Sequence, residues 1–528
     1  MAETAVKPAS RTPWKIMTGK IYSAALVGLD CQIVSVEVDL AFGLHNFMVV
    51  GLPDKAVEES RERINAAIKN SDFTAPHASN RRVIVSLAPA DLKKQGPAYD
   101  LPIALAFLMA SDQVLAPDFN FAESLFVGEL SLEGELRHIN GVLPVALAAK
   151  KFGFKSLFVP RANAQEAALV SDVKIFALDN LVQLAGHLTG QAPLACQPTT
   201  DVRVFYQTSL YAYDFAYVKG QEHAKRALEI AASGGHNILL SGPPGSGKTL
   251  LARALPSILP QLSLDEALEV TKIFSVAGIL AQDRVLITER PFRAPHHSAS
   301  APALVGGGTY PRPGEITLSH RGVLFLDEFP EFNRNVLEAL RQPLEDGIVT
   351  VARAASSLTF PAQFILVAAM NPCPCGYATS PQQQCICTPR QVANYQRKIS
   401  GPLLDRIDLH VAVPYVKYDK LASEAVSEAS SQIRERINRA RQVQEQRFSQ
   451  NKKIRTNAEM GLQELKQFCR LDIAGANLLR QAVNQMHLSA RGYHRVLKVS
   501  RTIADLAGSV NIQSAHLAEA LQYRPKLD

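Results

Sequence analysis

The chain has 528 residues, too many for one typical core and suited to about three domains. A hydrophobic content of 47% and a charged content of 20% belong to an ordinary globular protein and exclude a chain too polar to fold. It contains no apolar run of about eighteen residues and no cationic-then-apolar leader, so a spanning helix is excluded and the cytoplasm is expected; the net charge of +7 permits a polyanionic partner without requiring one.

Residues 1–16 (MAETAVKPASRTPWKI) are polar and unpatterned, precede a second methionine at Met17, and hold the only tryptophan, Trp14. They are expected to be a disordered leader or a tag. Residues 17–190 combine strand-like runs at 31–38 and 83–87 with helical patterns at 55–69 and 101–109, which predicts a mixed α/β domain. Residues 96–100 (G-P-A-Y-D) and 128–144 (G-E-L-S-L-E-G-E-L-R-H-I-N-G-V-L-P) resemble the C-terminal domain of Lon proteases. Those enzymes use a Ser in G-P-S-A-G and a Lys in a later G-G-L-K segment; matched motif to motif, Ala98 stands in place of the Ser and Leu143 in place of the Lys. Nucleophilic catalysis needs a hydroxyl and an adjacent base, and neither is present. The resemblance therefore implies a Lon-protease-like fold without peptidase activity, serving assembly or partner binding. Glycine turns of an unrelated α/β domain are the other reading. Residues 191–213, polar and Pro-containing, read as a linker.

The chemistry is concentrated between 214 and 416, read as one domain. Residues 236–249 spell H-N-I-L-L-S-G-P-P-G-S-G-K-T, a short apolar strand, a G-x-x-x-x-G-K-[ST] loop and the start of a helix. Backbone N–H groups from Gly242, Pro244's neighbours, Gly245, Ser246 and Gly247 can curl around phosphates, with Pro243 and Pro244 shaping the turn. Lys248 then reaches the β/γ-phosphates and the Thr249 hydroxyl binds Mg²⁺. A second apolar run, 323–326, ends in Asp327, placed to hold Mg²⁺, and Glu328, placed to orient the attacking water. A third, 364–370, ends in Asn371, at the carboxyl end of a strand, where open α/β sheets bind ligands. Together these predict a P-loop ATPase using ATP and Mg²⁺. Asp214 to Gln221 (D-F-A-Y-V-K-G-Q) resembles the segment that lies over the adenine in AAA+ ATPases, which makes Val218, Lys219, Gly220 and Gln221 nucleotide candidates; a plain loop and helix cap is the alternative.

Two stretches interrupt this core. Residues 290–316 form a long Pro-, Gly-, His- and Arg-rich insert, and 346–362 read as a β-hairpin with Arg353 near its tip. They resemble the helix-2 insert and pre-sensor hairpin of the magnesium-chelatase and MCM helicase branch of AAA+ proteins. F-R-A-P-H-H (292–297), F-L-D-E-F-P-E-F (325–332), N-P-C-P-C-G (371–376) and S-G-P-L-L-D-R-I-D-L (400–409) narrow the resemblance to the magnesium-chelatase-like ComM (YifB) family, over nearly everything after Met17. That resemblance implies a homo-hexameric ATPase acting as a branch-migration helicase in natural transformation, with single- and double-stranded DNA and branched recombination intermediates as partners. It implies an arginine finger at Arg406 and a sensor-2 arginine at Arg491, with Arg495 in reserve. A surface salt bridge from Arg406 to Asp405 or Asp408 is the plainer alternative. By the same resemblance Arg293, His296, His297 and Arg353 lie on channel loops and contact DNA; a rigid interface loop is the other reading of 293–297.

Of seven cysteines, Cys373, Cys375, Cys385 and Cys387 cluster, enough thiolates for one closed tetrahedral Zn²⁺; free thiols in a loop are the alternative. From 417 onward helical patterns predominate, at 424–448, 472–487 and 492–506, as expected of a lid over ATP. The arginines of 434–447 read as a solvated face or as DNA contacts. A magnesium-chelatase motor subunit and an AAA+ assembly factor are the rival functions; a simple chelatase motor lacks the Lon-like extension, and an assembly factor has no need of Lys248, Asp327, Glu328, Asn371 and Arg406 together.

Overall fold

The computed structural model describes residues 19–525 except 45, 79–80, 207–210, 282, 309–310, 354–355, 379–382, 417–426 and 452–453. The leader at 1–16, the expected start of the helical part at 417 and the side chain of Arg353 lie outside what is described. The chain divides into two compact units, Met1–Val202 with Gly278–Val285, and Arg203–Ala277 with Leu286–Asp528.

The first unit is built on seven strands: β1 (Gly19–Val27), β2 (Asp30–Phe42), β3 (Asn46–Val50), β4 (Arg81–Ala88), β5 (Ser124–Phe126), β6 (Ser156–Pro160) and β7 (Lys174–Leu178). Their order is β3-β4-β2-β1-β5-β6-β7, antiparallel where β2 meets β1 and β4 and parallel elsewhere. Val34, Val36 and Val38 alternate inward along β2, as β-branched residues on a half-buried pleat do. Phe126, Phe158 and Phe176 sit in register on β5, β6 and β7 and stack at 4.7 and 4.8 Å. Helix α1 (Lys55–Asn70) starts at Asp54, whose carboxylate accepts the Val57 N–H at 2.9 Å. Asp100 opens the wholly apolar helix α2 (Asp100–Ala110). Burial pushes its carboxyl up to about 6 against the pull of the Arg63 guanidinium, which grips it at 2.8 and 3.1 Å. Leu143 is buried, and its backbone N–H donates to Glu166 at 2.9 Å.

Two expectations on extent change. The first part of the stretch read as a linker packs on the first unit, where the Gln197 N–H donates to the Ile175 carbonyl at 2.8 Å. Residues 278–285, read as part of the ATPase domain, group with the first unit as well.

The second unit holds β8 (Ile238–Ser241), β9 (Phe292–Arg293), β10 (Val323–Leu326), the hairpin β11 (Ile348–Arg353) and β12 (Ser356–Pro361), then β13 (Ile365–Met370) and β14 (Leu409–Ala412). Five of these form an all-parallel sheet in the order β9-β10-β13-β8-β14. Every residue of β10 and β13 is buried, as continuous apolar runs covered on both faces must be. The chain's chemistry therefore sits where those runs stop. Helix α3 (Glu222–Gly234) and the C-terminal helices α4 (Ser430–Arg447), α5 (Ile473–Gln485), α6 (Ala490–Leu506) and α7 (Ser514–Gln522) share one apolar core with the sheet, in which Leu228, Ile238, Ile437, Val496 and Leu517 meet. The helical part is thus packed against the sheet rather than a separate lobe.

Candidate active site

Phosphate binding at a strand end needs a loop that exposes N–H groups, and the glycines of 242–247 provide it for distinct steric reasons. A Cβ on Gly242 would lie 2.1 Å from the Val413 carbonyl oxygen, while Gly245 and Gly247 adopt φ of +74° and +90°. Helix α-turns begin at once at Lys248, giving a helix N-terminus over the loop. The Ser246 hydroxyl is buried and has no hydrogen-bond partner among the described residues, a donor-acceptor left for a phosphate oxygen.

Lys248 is buried beneath this loop. Its ammonium donates to the carbonyls of Gly242 and Pro243 at 2.8 Å each and to Asn371 Oδ1 at 3.2 Å. Burial lowers its pKa, and the Asp327 carboxylate works in the opposite direction. Thr249 Oγ1 donates to Asp327 Oδ2 at 2.8 Å, so the two expected Mg²⁺ ligands already face each other across β8 and β10. Asn371 reaches the same centre from the end of β13. Gln221, at φ +61°, donates to the carbonyls of Ser246 at 3.1 Å and Pro414 at 2.5 Å, tying the Val218–Gln221 segment to the loop. The Val218 carbonyl accepts the Ser427 hydroxyl at 3.0 Å, and Gly220 turns at φ +67°. Donor set, helix end and spare hydroxyl fit a Mg²⁺-bound nucleoside triphosphate.

Glu328 follows Asp327 in a left-handed conformation, φ +51°, and its Oε2 lies 2.9 Å from His297 Nδ1. His297 in turn lies against His296, the rings tilted by 35° with centroids 4.1 Å apart. The residue expected to orient water is therefore held by the loop expected to contact DNA. Arg293 is not free either: it grips Glu315 through two bonds, at 2.6 and 2.7 Å. His296 Nδ1 shares a 2.8 Å contact with the Ser298 hydroxyl.

The arginines sit elsewhere. Arg406 is buried, donates to the Pro402 carbonyl at 2.7 Å and pairs with Glu345, not with Asp405 or Asp408. Arg491 reaches the other oxygen of the same carboxylate at 3.0 Å. Bonded primarily by Arg406, Glu345 is held below the usual carboxylate range. Both arginines line a cavity of about 820 Å³ with Asn237, Gly322 and Ile365, which stand at the amino ends of β8, β10 and β13, the ends opposite the phosphate loop. Arg495 is committed to buried Asp408, whose other oxygen faces His236 Nδ1 at 3.4 Å. Burial works to raise Asp408, and Arg495 and His236 outweigh it, holding the carboxyl well below its ordinary value. Glu345 and Glu315 carried no motif in the sequence; each is recognisable only by its partner.

Of the arginines on α4, Arg434 donates to the Ser257 carbonyl at 2.9 Å, Arg436 to Glu229 at 2.6 Å, Arg441 to the Ala232 carbonyl at 2.8 Å and Arg447 to Asn457 at 2.9 Å. They fasten the helix to its own unit, while Arg439 on the same helix is exposed.

The four clustered cysteines come together. Cys373 Sγ lies 3.3 Å from Cys375 and 3.7 Å from Cys385, Cys375 and Cys385 are 3.5 Å apart, and all four sulfurs, Cys387 included, lie within 4.8 Å of one another. Tetrahedral Zn–S bonds of about 2.3 Å put sulfurs about 3.8 Å apart, so the set fits one metal ion. The thiols differ sharply: the Tyr377 N–H leads in holding Cys375 down to about 6, whereas Cys385, despite the Cys387 N–H, is pushed up to about 12 by burial and by Cys375 and Cys373.

A phosphate loop and a carboxylate at the carboxyl ends of two strands that flank a third in an all-parallel sheet, with arginines on the far side and helices completing the core, define an ATPase domain of AAA+ type. The family description "Magnesium chelatase, subunit ChlI" matches residues 214–421, "Subunit ChlI of Mg-chelatase" matches 36–163, and "Magnesium chelatase, subunit ChlI C-terminal" matches 427–524. The chain is 45% identical over 510 residues to competence protein ComM of Haemophilus influenzae, covering 96% of this chain and 97% of that protein. It is 42% identical over 505 residues to YifB of Escherichia coli, covering 96% of each. Magnesium-chelatase subunit ChlI of Olisthodiscus luteus is 24% identical over 247 residues, 44% of this chain and 67% of that one. The chain belongs to the magnesium-chelatase-like ComM (YifB) family. Among the described residues no helix is long and apolar enough to cross a membrane.

Proposed function

We propose that this protein is an ATP-hydrolysing motor that works as a cytoplasmic homo-hexameric ring and drives branch migration of recombining DNA during natural transformation. The observation that carries the ring is the shared carboxylate: Arg406 and Arg491 meet on Glu345, at the strand ends opposite Lys248 and Thr249. A phosphate reached by these two arginines belongs to a neighbouring copy. In this reading Lys248 holds the β/γ-phosphates, Thr249 and Asp327 hold Mg²⁺, Asn371 and Glu328 orient the attacking water, and residues 218–221 cover the adenine. Arg406 is the finger and Arg491 the sensor-2 arginine, both acting in trans.

The DNA reading is supported by the similarity to a competence protein across nearly the whole chain. Arg293, His296, His297 and Arg353 are its DNA-contacting residues, and the bond from His297 to Glu328 gives DNA a route to the catalytic carboxylate. Residues 17–190, with the first part of 191–213 packed on them, are the Lon-like domain without peptidase activity, 214–416 apart from 278–285 the ATPase core and 417–528 the helical lid. The cysteines hold a structural Zn²⁺.

A magnesium-chelatase-type motor is the second reading, favoured by the matched family descriptions. ATPase rates measured with and without single-stranded, duplex and four-way-junction DNA separate the two. Stimulation by junction DNA together with ATP-dependent branch migration of the junction supports the DNA motor; DNA-indifferent turnover overturns it in favour of the chelatase-type motor or an AAA+ assembly factor.

A further inference from the structure

The thiol cluster lies next to the ATP centre along the chain and in space. Cys373 is two residues from Asn371, whose side-chain oxygen accepts from Lys248 at 3.2 Å. Gly376, in the turn closed by its N–H on the Cys373 carbonyl at 3.0 Å, has φ +88°, and a Cβ there would stand 2.6 Å from Pro244 Cδ. The turn therefore rests directly on the phosphate loop. On its other side, Cys387 is followed by Thr388, which caps the helix Pro389–Gln396. That helix returns to the same strand end: Gln396 Nε2 donates to the Pro372 carbonyl at 3.4 Å, and the Tyr395 hydroxyl lies against the Asn371 backbone.

Backbone N–H groups also point at sulfur, among them Ala378 at Cys373 (3.3 Å), Cys375 at Cys387 (3.4 Å) and Cys387 at Cys385 (3.4 Å). Such bonds orient thiolates as metal ligands and are the outer support a metal site needs. A metal ion held by the four sulfurs would tie the Gly376 turn to the strand end that carries Asn371.

We propose that the centre formed by Cys373, Cys375, Cys385 and Cys387 is a positioning device for ATP hydrolysis: a thiophilic divalent metal held there fixes Asn371 and the Pro244 turn, so that metal occupancy sets the turnover number. The four cysteines are positioning residues, acting through Asn371 and the Pro244 turn. The inference rests on the reading of 242–249 as an ATP site and goes beyond a structural zinc, which would serve folding alone.

The test uses the full chain, with zinc counted by a metallochromic dye, ATP affinity read from a fluorescent analogue, and turnover measured at saturating ATP with Mg²⁺ restored after chelation. One zinc per chain is expected. Its removal lowers kcat about tenfold or more while ATP affinity stays within about threefold, and added Zn²⁺ restores the rate. Asn371→Ala lowers kcat of the zinc-loaded chain by a similar factor and adds nothing once zinc is gone. Cys385→Ser with Cys387→Ser reproduces the metal-free rate, and Cys196→Ser, an exposed thiol of the first unit, changes nothing. A chain that takes up no zinc, a metal-free kcat equal to the loaded one, full additivity with Asn371→Ala, or loss of ATP affinity in step with kcat each overturns the proposal alone. Failure of the zinc-loaded chain to bind ATP overturns the ATP-site reading and this inference with it.

Discussion

Lys248 makes its bonds now to the two carbonyls of its own loop and to Asn371, all at 3.2 Å or less, and an arriving phosphate must replace them. Charge-assisted bonds of this kind contribute about 1.5–3 kcal/mol each, so Lys248→Ala should weaken ATP binding by about 10- to 100-fold. Glu328→Gln leaves the cradle intact; it should bind ATP like the parent and lose turnover by about 10³-fold, read by nucleotide titration beside single-turnover hydrolysis. Equal ATP affinity in the parent and Lys248→Ala contradicts the assignment. His297 gives a second measurement at this scale. Because its ring holds Glu328 at 2.9 Å, His297→Ala should raise ATPase in the absence of DNA and shrink the ratio of DNA-stimulated to basal rate toward one. An unchanged ratio removes His297 from the route between DNA and carboxylate.

On helix α6, Arg491 and Arg495 stand one turn apart, yet their surroundings give them opposite roles. The Arg491 side chain is 57% exposed, so its pair with Glu345 contributes less than about 1 kcal/mol to the fold. Arg495 neutralises Asp408, whose side chain is 3% exposed, and removing one partner of a buried pair costs about 3–5 kcal/mol. Arg495→Ala should therefore melt early, whereas Arg491→Ala keeps its melting temperature and loses hydrolysis. The pH dependence has a definite sign. Asp408 is held below its ordinary value in the folded chain, so its contribution is present above about pH 4 and lost as pH falls through the folded value. The stability gap between the parent and Arg495→Ala should accordingly narrow in acid; denaturant titrations at pH 7 and below pH 4 check it, and a constant gap means that Arg495 acts by packing.

At the scale of the whole molecule the test of the ring is complementation. Arg406→Ala should bind ATP and lose hydrolysis by about 10³-fold, because in the proposed ring its guanidinium serves a phosphate on a neighbouring copy. Mixed with Lys248→Ala chains, some interfaces join an intact cradle to an intact finger, and part of the activity should return. Verified mixed rings without recovery rule out action in trans. The same assembly sets how the DNA residues behave: Arg293 is neutralised by Glu315, so Glu315→Gln should tighten DNA binding and steepen its salt dependence, and Arg293→Ala should do the reverse across all sequences alike.

What the sequence determined by itself was the placing of the glycine loop, Asp327 and Asn371 at strand ends. Parallel strands covered on both faces must be continuous apolar runs, so 238–240, 323–326 and 364–370 stand out, and the polar residues that end them, from Gly242 to Asn371, fall at one edge of the sheet. The cysteine cluster was legible because its members are close along the chain. Side-chain partners were not. Glu345 is 61 residues from Arg406 and 146 from Arg491, and no local pattern announces a carboxylate that two remote arginines share. For the same reason Arg434, Arg436 and Arg441 of α4 read as part of a free basic face until the fold brought Ser257, Glu229 and Ala232 beneath them. Periodicity reports which face of an element is buried; which charges meet is decided by how elements distant in sequence pack, and only the tertiary structure contains that.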